Sequence, residues 1–170
     1  MKKVMCALFY GCTILILLMA VTGCQTSDSS GSILKADQIV FDTVYTVSVF
    51  KQDQSIASGT FESNGTEIVF TVSEPDMAKG MTYCDNAGVF TISLNGFTLE
   101  TSAILSSEST WFTKLAHIIR YIREQPQTLQ AQGSGQFSGF MADGTEFKIT
   151  TWNKGTIENI TFNQFYIQFS

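Results

Sequence analysis

Most of the chain alternates apolar and polar residues with a period of two, which is the spacing of a β-strand. In the clearest case, Phe41–Phe50, one face of the pattern is apolar and the other carries Asp42, Thr46 and Ser48. Side chains of a strand point to alternate faces of a sheet, so this pattern predicts a strand with one buried face. The residues on that predicted buried face are Phe41, Tyr45, Val47 and Val49.

Turn sequences divide the rest of the chain into further segments of this kind. Asn64-Gly65, Asn95-Gly96 and Asp143-Gly144 favour tight hairpin turns, and Pro75 ends a strand because it cannot donate to a ladder. The predicted strands span residues 41–50, 55–62, 67–72, 81–84, 89–94 and 97–101, and then 128–132, 136–142, 145–152, 156–162 and 165–169.

One stretch, Ser109–Glu124, changes to a period of 3.6 residues. Ser109 suits the N-cap of a helix, and Gln125-Pro126 suits its end. The apolar stripe consists of Trp111, Phe112, Leu115, Ile118, Ile119 and Ile122, and the other side carries Lys114, His117, Arg120 and Arg123. A single amphipathic helix must bury its stripe against the sheet. The patterns together predict a mainly β fold with one major α-helix, of the α+β class.

The first 24 residues have the order of a secretory leader. Lys2 and Lys3 precede an uncharged run, Val4–Ala20, and small residues follow it. The run Leu18–Cys24 (LMAVTGC) resembles the lipobox of bacterial lipoproteins. That resemblance implies cleavage before Cys24 and attachment of lipid, palmitate included, to the new first residue. The alternative is an uncleaved anchor, but 17 residues of helix span only about 26 Å of a hydrocarbon core about 30 Å thick.

These features predict three parts of the chain. Residues 1–23 are the predicted lipoprotein signal peptide, residues 24–34 a flexible polar tether, and residues 35–170 the folded domain. Gln25–Ser32, which has no apolar residue, would span about 15–17 Å as a flexible coil. The predicted location is the extracytoplasmic face of the cell membrane, with the lipid on Cys24 as anchor. A single-membrane envelope is favoured over one with two membranes.

Charge argues against two classes of partner. The chain has 15 acidic and 10 basic residues, a formal net charge of −5, and loss of Lys2 and Lys3 with the leader would make it −7. The basic residues form no cluster, which disfavours nucleic acid and direct binding to anionic headgroups. We therefore expect contact with the membrane through the lipid anchor and no nucleic-acid partner.

The sequence carries no recognised catalytic or metal-binding motif. His117, the single histidine, lies on the charged side of the predicted helix, and no convergent ligand set suggests zinc. Cys84 remains after the leader and Cys24 are set aside, which favours a small buried side chain over a disulfide. Glu74 and Asp76 lie in a turn and favour a solvated loop. We predict no cofactor, no metal and no enzymatic activity; hydrolysis would need His117 close to a carboxylate and a hydroxyl.

Three segments resemble one family. Val72–Tyr83 (VSEPDMAKGMTY) has a strand that ends at a Glu-Pro turn before a Gly-apolar-x-aromatic strand, and Asn95–Glu100 (NGFTLE) has a Gly-apolar-x-apolar-Glu strand. Trp152–Phe169 resembles the last hairpins of the same family. By these motifs residues 36–170 resemble small bacterial lipoproteins of the LolA/LppX-like lipoprotein-carrier fold, although related sequences often carry Pro after the position of Gly155. The resemblance implies a curved antiparallel sheet, an incomplete barrel, with the helix on its concave face.

The same resemblance implies a function, the binding of an acyl chain, a lipid or another hydrophobic ligand between sheet and helix. The candidate cavity residues are Trp111, Phe112, Leu115, Ile118, Ile119 and Ile122. Trp111 and Phe112 are either gate residues or core residues, and the 13 phenylalanines that remain without Phe9 of the leader fit a hollow or a solid core. With a solid core, the alternative function is a protein-interaction or sensing module of the cell envelope, which would use exposed first and last strands.

Overall fold

Eleven antiparallel strands and one α-helix make up the part of the chain that the structure describes. The computed structural model describes residues 34–100, 111–152 and 154–170, all within the unit Ile33–Ser170. The helix is α1 (Trp111–Glu124). The strands are β1 (Val44–Lys51), β2 (Gln54–Asn64), β3 (Glu67–Glu74), β4 (Thr82–Asn86), β5 (Val89–Leu94), β6 (Phe97–Glu100), β7 (Gln130–Gly133), β8 (Gln136–Phe140), β9 (Glu146–Thr151), β10 (Ile157–Phe162) and β11 (Phe165–Phe169).

The strands form two meandering arms, β1–β6 and β7–β11, which are joined where β1 pairs with β11. Their order in the sheet is β6-β5-β4-β3-β2-β1-β11-β10-β9-β8-β7. The first and last strands are therefore paired in the middle of the sheet, in a register that places Val49 opposite Ile167. The expectation that these two strands are exposed edges was wrong. Local sequence patterns do not encode a pairing between residues more than 100 positions apart, and β6 and β7 form the edges instead.

The helix shows that the sheet is curved. His117 of α1 contacts Phe90 of β5 with ring centroids 5.4 Å apart, and Tyr121 contacts Phe147 of β9 at 5.9 Å. Seven strand spacings separate β5 from β9, about 34 Å in a flat sheet, whereas a helix with its side chains is about 10–12 Å across. The two arms therefore wrap around α1. This confirms the predicted class, an open antiparallel sheet with one helix on its concave face.

The concave face and the apolar stripe of the helix form a single buried cluster. The predicted alternation of β1 is confirmed, since Tyr45, Val47 and Val49 are buried while Thr46 is exposed. Phe169 packs edge-on against Tyr45, with ring centroids 5.2 Å apart, and thereby joins the first strand to the last. Other members of the cluster, from both arms, include Phe61, Ile68, Phe70, Phe90, Phe137, Phe147, Ile149, Ile160 and Ile167.

The segment before β1 is attached to the loop before β10. The backbone N–H of Val40 donates to the Gly155 carbonyl at 2.8 Å, and Val40 forms a parallel bridge with Thr156. Gly155 has φ +82°, and a Cβ there would clash with the Gln38 carbonyl, so this contact requires glycine. The Tyr45 hydroxyl donates to the Val40 carbonyl at 3.0 Å and accepts from the Ile157 N–H at 3.3 Å. One buried hydroxyl thus links three segments.

One predicted strand boundary differs from the structure, and several other predictions lie outside the residues that the structure describes. The predicted strand 128–132 begins later, because Pro126–Thr128 forms a 3-10 turn and β7 starts at Gln130. The predictions for the leader, Cys24, the tether up to residue 33 and Ser109 concern residues outside the described ranges. Within those ranges, no helix has the length and apolarity to cross a bilayer.

Candidate functional site

The six helix residues predicted to line a cavity lie in the core. Leu115, Ile118 and Ile119 are fully buried, and Ile122 is nearly so. Trp111 packs edge-on against Phe70, with ring centroids 4.9 Å apart, and Phe112 packs against Tyr83 at 5.5 Å. Four surface pockets of the described residues are lined by other side chains. That the six residues line a ligand cavity stays a prediction.

The most apolar of these four pockets lies where the helix returns to the sheet. It is a groove of about 500 Å³, and one wall is the segment at the start of the described chain. The opposite wall is the 3-10 turn after α1, and the floor is formed by β7 and β8, with Phe137 almost fully buried. The lining residues are Leu34, Lys35, Ala36, Asp37, Pro126, Gln127, Leu129, Ala131 and Phe137.

Sequence reasoning missed this groove. The sequence pattern places Leu34 in the tether, and Leu129 and Ala131 in an ordinary strand. Only the fold brings the start of the domain against the turn that follows the helix. Pro126 supplied a signal for the end of the helix but none for a binding site.

The charged side of α1 makes three ion pairs with the sheet and its loops. Lys114 pairs with Asp143, Arg120 with Asp85, and Arg123 with Asp42. Each pair joins the helix to a different connection or strand, so together they fix its position on the concave face.

The Asp85–Arg120 pair differs from the other two because its carboxylate is buried. The side chain of Asp85 is 0% exposed, and it also accepts the Gly88 N–H at 2.8 Å. The alternation of β4 contained a signal, since Asp85 shares a face with Tyr83, two residues earlier. A carboxylate on the buried face of a strand needs a cation or several donors, and Arg120 is that cation.

Among the residues that the structure describes, the titratable side chains form no arrangement typical of catalysis. His117 is exposed, as predicted, and its pKa is lowered by partial burial and then by the charge of Arg120. Cys84 is half-buried rather than buried, and its thiol donates to Glu67 at 3.5 Å. Burial and then Glu67 raise the pKa of this thiol, which disfavours the nucleophilic thiolate. The Lys114 ammonium holds the pKa of Asp143 well below its usual range.

No metal site was found among the described residues, where no three His, Cys, Asp or Glu side chains group together. Glu74 and Asp76 are exposed, as predicted for a solvated loop. The Ser58 hydroxyl donates to Glu74 at 3.1 Å.

A second apolar surface lies at the other end of the concave face. Phe70, Tyr83, Ile92 and Leu99 lie opposite one another on β3 to β6 and form one inward-facing row. Burial declines along the row from Phe70, which is fully buried, to Leu99, which is 58% exposed. Phe97, two residues from Leu99 and therefore on the same face, is 83% exposed. We call Phe97 and Leu99 the β6-edge surface.

Comparison with known proteins adds little. No protein-family model matches the chain, and no curated protein matches it. The structure is similar to that of a LolA superfamily protein from Nitrosomonas europaea, with a TM-score of 0.47 and 6% sequence identity over 79% of this chain and 87% of that one. A likeness at this level assigns neither family nor function, so any functional conclusion rests on the residues of this chain.

Proposed function

We propose that this protein is a non-catalytic lipoprotein of the extracytoplasmic membrane face that binds one acyl chain in the groove. The observation that carries the proposal is the groove itself, about 500 Å³ of mainly apolar space between the sheet and the turn that follows α1. Ligand sites are typically concave and mostly apolar with a few polar groups at fixed places. Lys35, Asp37 and Gln127 are the polar members of the lining.

Burial of methylene groups supplies the binding free energy. Each buried CH₂ contributes about 0.8 kcal/mol, so ten of them give about 8 kcal/mol before the costs of association. The exposed or half-buried apolar members of the lining present the atoms for this contact, and they are Leu34, Ala36, Pro126, Leu129 and Ala131. A ligand without an apolar chain would gain little here.

Photo-crosslinking tests the groove. The full chain, reconstituted in lipid nanodiscs, is incubated with a fatty acid that carries a diazirine on its chain, irradiated and digested for mass spectrometry. We expect label on residues 34–37 and 126–131, and competition by unlabelled fatty acid. Label spread evenly over the surface would contradict a groove site.

A filled groove provides the matched variant. Ala131→Trp places a large side chain on the exposed strand that forms the floor, and we expect at least about a tenfold loss of specific label. Ala142→Trp, the same substitution at an exposed turn position outside the groove, is the control and should label like the parent. Equal labelling of both variants would exclude the groove as the site.

The anchor is a separate part of the proposal. It is supported by the uncharged run Val4–Ala20 and by Leu18–Cys24, which ends in the cysteine of a lipobox-like sequence. In cells fed alkyne-palmitate, we expect label on the parent and on Cys84→Ala, and none on Cys24→Ala. Cys24→Ala should also fail to be processed, whereas an unchanged label on that variant would exclude lipidation at this residue.

A protein-interaction or sensing module is the second candidate function. The observation that favours it is the β6-edge surface, since large exposed apolar side chains beside an open strand edge are typical of interaction sites. It differs from the first candidate in its test, because Ala131→Trp would leave an interaction through β6 unchanged.

A further inference from the structure

The two edges of the sheet differ in a way that bears on association. β7 has the sequence Gln-Ala-Gln-Gly, with a register irregularity between Ala131 and Gly133. Short polar strands and bulges are the means by which monomeric proteins prevent edge-to-edge pairing. β6 is equally short, but its side chains at Phe97 and Leu99 are apolar, and its pairing with β5 contains no bulge. Both of these apolar side chains are exposed.

The backbone of β6 is oriented for pairing at Thr98. Asn95 and Gly96 both have positive φ, 50° and 83°, as in the type I′ turn of a two-residue hairpin. The pair that closes such a hairpin, Leu94 and Phe97, exchanges both hydrogen bonds, and hydrogen-bonded pairs then alternate along the ladder. The N–H and C=O of Thr98 are therefore directed away from β5, toward the side of β6 on which no described strand lies.

The sequence of β6 is complementary to itself in an antiparallel register centred on Thr98. In that register Thr98 lies opposite Thr98 of a second copy, and each Phe97 lies opposite a Leu99. Aromatic–aliphatic pairs of this kind stabilise neighbouring strands. Residues 95–99 carry no charge, and Glu100 falls opposite Gly96, so the two copies bring no like charges face to face.

From these observations we propose that β6 is a homodimer interface, in which two copies pair their edge strands about a two-fold axis. The interface is isologous, because the same residues contribute from both copies. It joins the two concave faces at their exposed apolar ends and covers both β6-edge surfaces. A four-residue strand buries little area, so the dimer is weak in dilute solution and is favoured where tethering to a membrane raises the effective concentration.

Disulfide trapping in native membranes tests this pairing. The full chain with Cys84→Ala and Thr98→Cys is oxidised in isolated membranes and separated without reductant. A hydrogen-bonded antiparallel pair has Cα atoms about 5.5 Å apart, within the range that a disulfide spans. We expect most of the protein at twice the monomer mass. The Cys84→Ala parent, treated identically, should remain monomeric.

Ser93→Cys in the same background is the matched control. Ser93 lies opposite Thr98 on β5, so the two copies of Ser93 would be three strand spacings apart, about 14 Å, beyond the reach of a disulfide. Equal cross-linking of Ser93→Cys and Thr98→Cys would indicate random collision and overturn the proposal. A Thr98→Cys adduct with a different protein, or no adduct, would also overturn it.

A third variant separates pairing from folding. Leu99→Lys, added to Thr98→Cys, places a charge on an exposed position and opposite a Phe97, so we expect the dimer yield to fall about fivefold or more. Its circular dichroism and melting temperature should match those of the parent, since Leu99 is 58% exposed. An unchanged dimer yield would contradict the register.

Discussion

Two buried polar side chains, Tyr45 and Asp85, each join segments that are far apart in the sequence. The Tyr45 hydroxyl joins the segment before β1 to the start of β10. The Asp85 carboxylate, fully buried, relies on Arg120 of the helix and on the Gly88 N–H. Loss of one such partner leaves a desolvated polar group without compensation.

The first prediction concerns this buried ion pair. Arg120→Ala leaves the carboxylate of Asp85 buried without its cation, and we expect it to lower the free energy of unfolding by about 3–5 kcal/mol. Lys114→Ala removes the partner of Asp143, which is 52% exposed, and should cost about 0–1 kcal/mol. Urea denaturation of both variants measures the difference. Equal losses would show that burial of Asp85 does not set the cost.

The second prediction concerns pH and His117. Partial burial and the nearby positive charge of Arg120 lower the pKa of His117 below 6.5 in the folded protein, whereas Asp85 and Asp143 oppose this shift. As the pH falls through 6.5, the unfolded chain therefore binds a proton before the folded chain does, and stability declines with falling pH. We expect the free energy of unfolding to fall between pH 7 and pH 5.

His117→Gln should flatten that part of the pH profile. The measurement is urea denaturation at half-unit steps of pH, with parent and variant compared at each step. The contribution of one histidine is limited to about 1.4 kcal/mol per pH unit. A variant with the same slope as the parent would show that other groups cause the pH dependence.

At the scale of elements, α1 crosses from one arm of the sheet to the other and binds both. Its stripe packs into the concave face, and its charged side pairs with residues of both arms, Asp85 in one and Asp143 in the other. A 14-residue helix is only marginally stable alone in water. Its stability in the protein therefore comes from this packing, and the sheet in turn depends on the helix to cover its apolar face.

The third prediction tests whether the helix stripe is packed core or the lining of a cavity. Leu115 is fully buried, and in a filled core Leu115→Ala should lower the free energy of unfolding by about 2–5 kcal/mol. Glu124→Ala, at the exposed end of the same helix, is the control for helix propensity and should change stability little. A loss below about 1 kcal/mol at Leu115 would favour a ligand cavity beneath the helix.

At the scale of the whole molecule, the pairing of β1 with β11 joins the two arms within the sheet. Thr46 and Ser170 exchange backbone hydrogen bonds at 2.9 Å in both directions. Since such pairs alternate along an antiparallel ladder, the N–H of Gln168 donates to Ser48. The two arms therefore form one continuous sheet only when the last strand pairs with the first. This pairing gives the fold many contacts between residues that are distant in the sequence.

The fourth prediction tests this junction. Gln168→Pro removes a ladder hydrogen bond in the middle of the sheet while it changes an exposed side chain, so we expect a loss of at least about 2 kcal/mol. Gln132→Pro, the same substitution at the irregular edge strand β7, should cost clearly less. Thermal denaturation of the full chain compares them. A smaller effect at Gln168 would show that the arms do not depend on the β1–β11 pairing.

Much of the secondary structure was predictable, and the candidate site was not. Alternation identified the buried faces of β1 and β3, and Asn95-Gly96 marked a hairpin that the structure confirms. These signals act within a few residues, where pleat and turn geometry dictate the pattern. The wall of the groove at Leu34 and its floor at Phe137 are over 100 residues apart, and no local pattern relates them.

The sequence by itself determined which segments form strands, where the helix lies and which of their faces are apolar, because each depends on the spacing of side chains along a local backbone. Only the tertiary structure decided that the first strand pairs with the last, that Asp85 is neutralised by Arg120, and that a groove lies beside the end of the helix. Those features depend on contacts across the curved sheet. Such contacts form when distant segments meet to bury a common apolar face, and their partners are selected by the fold as a whole.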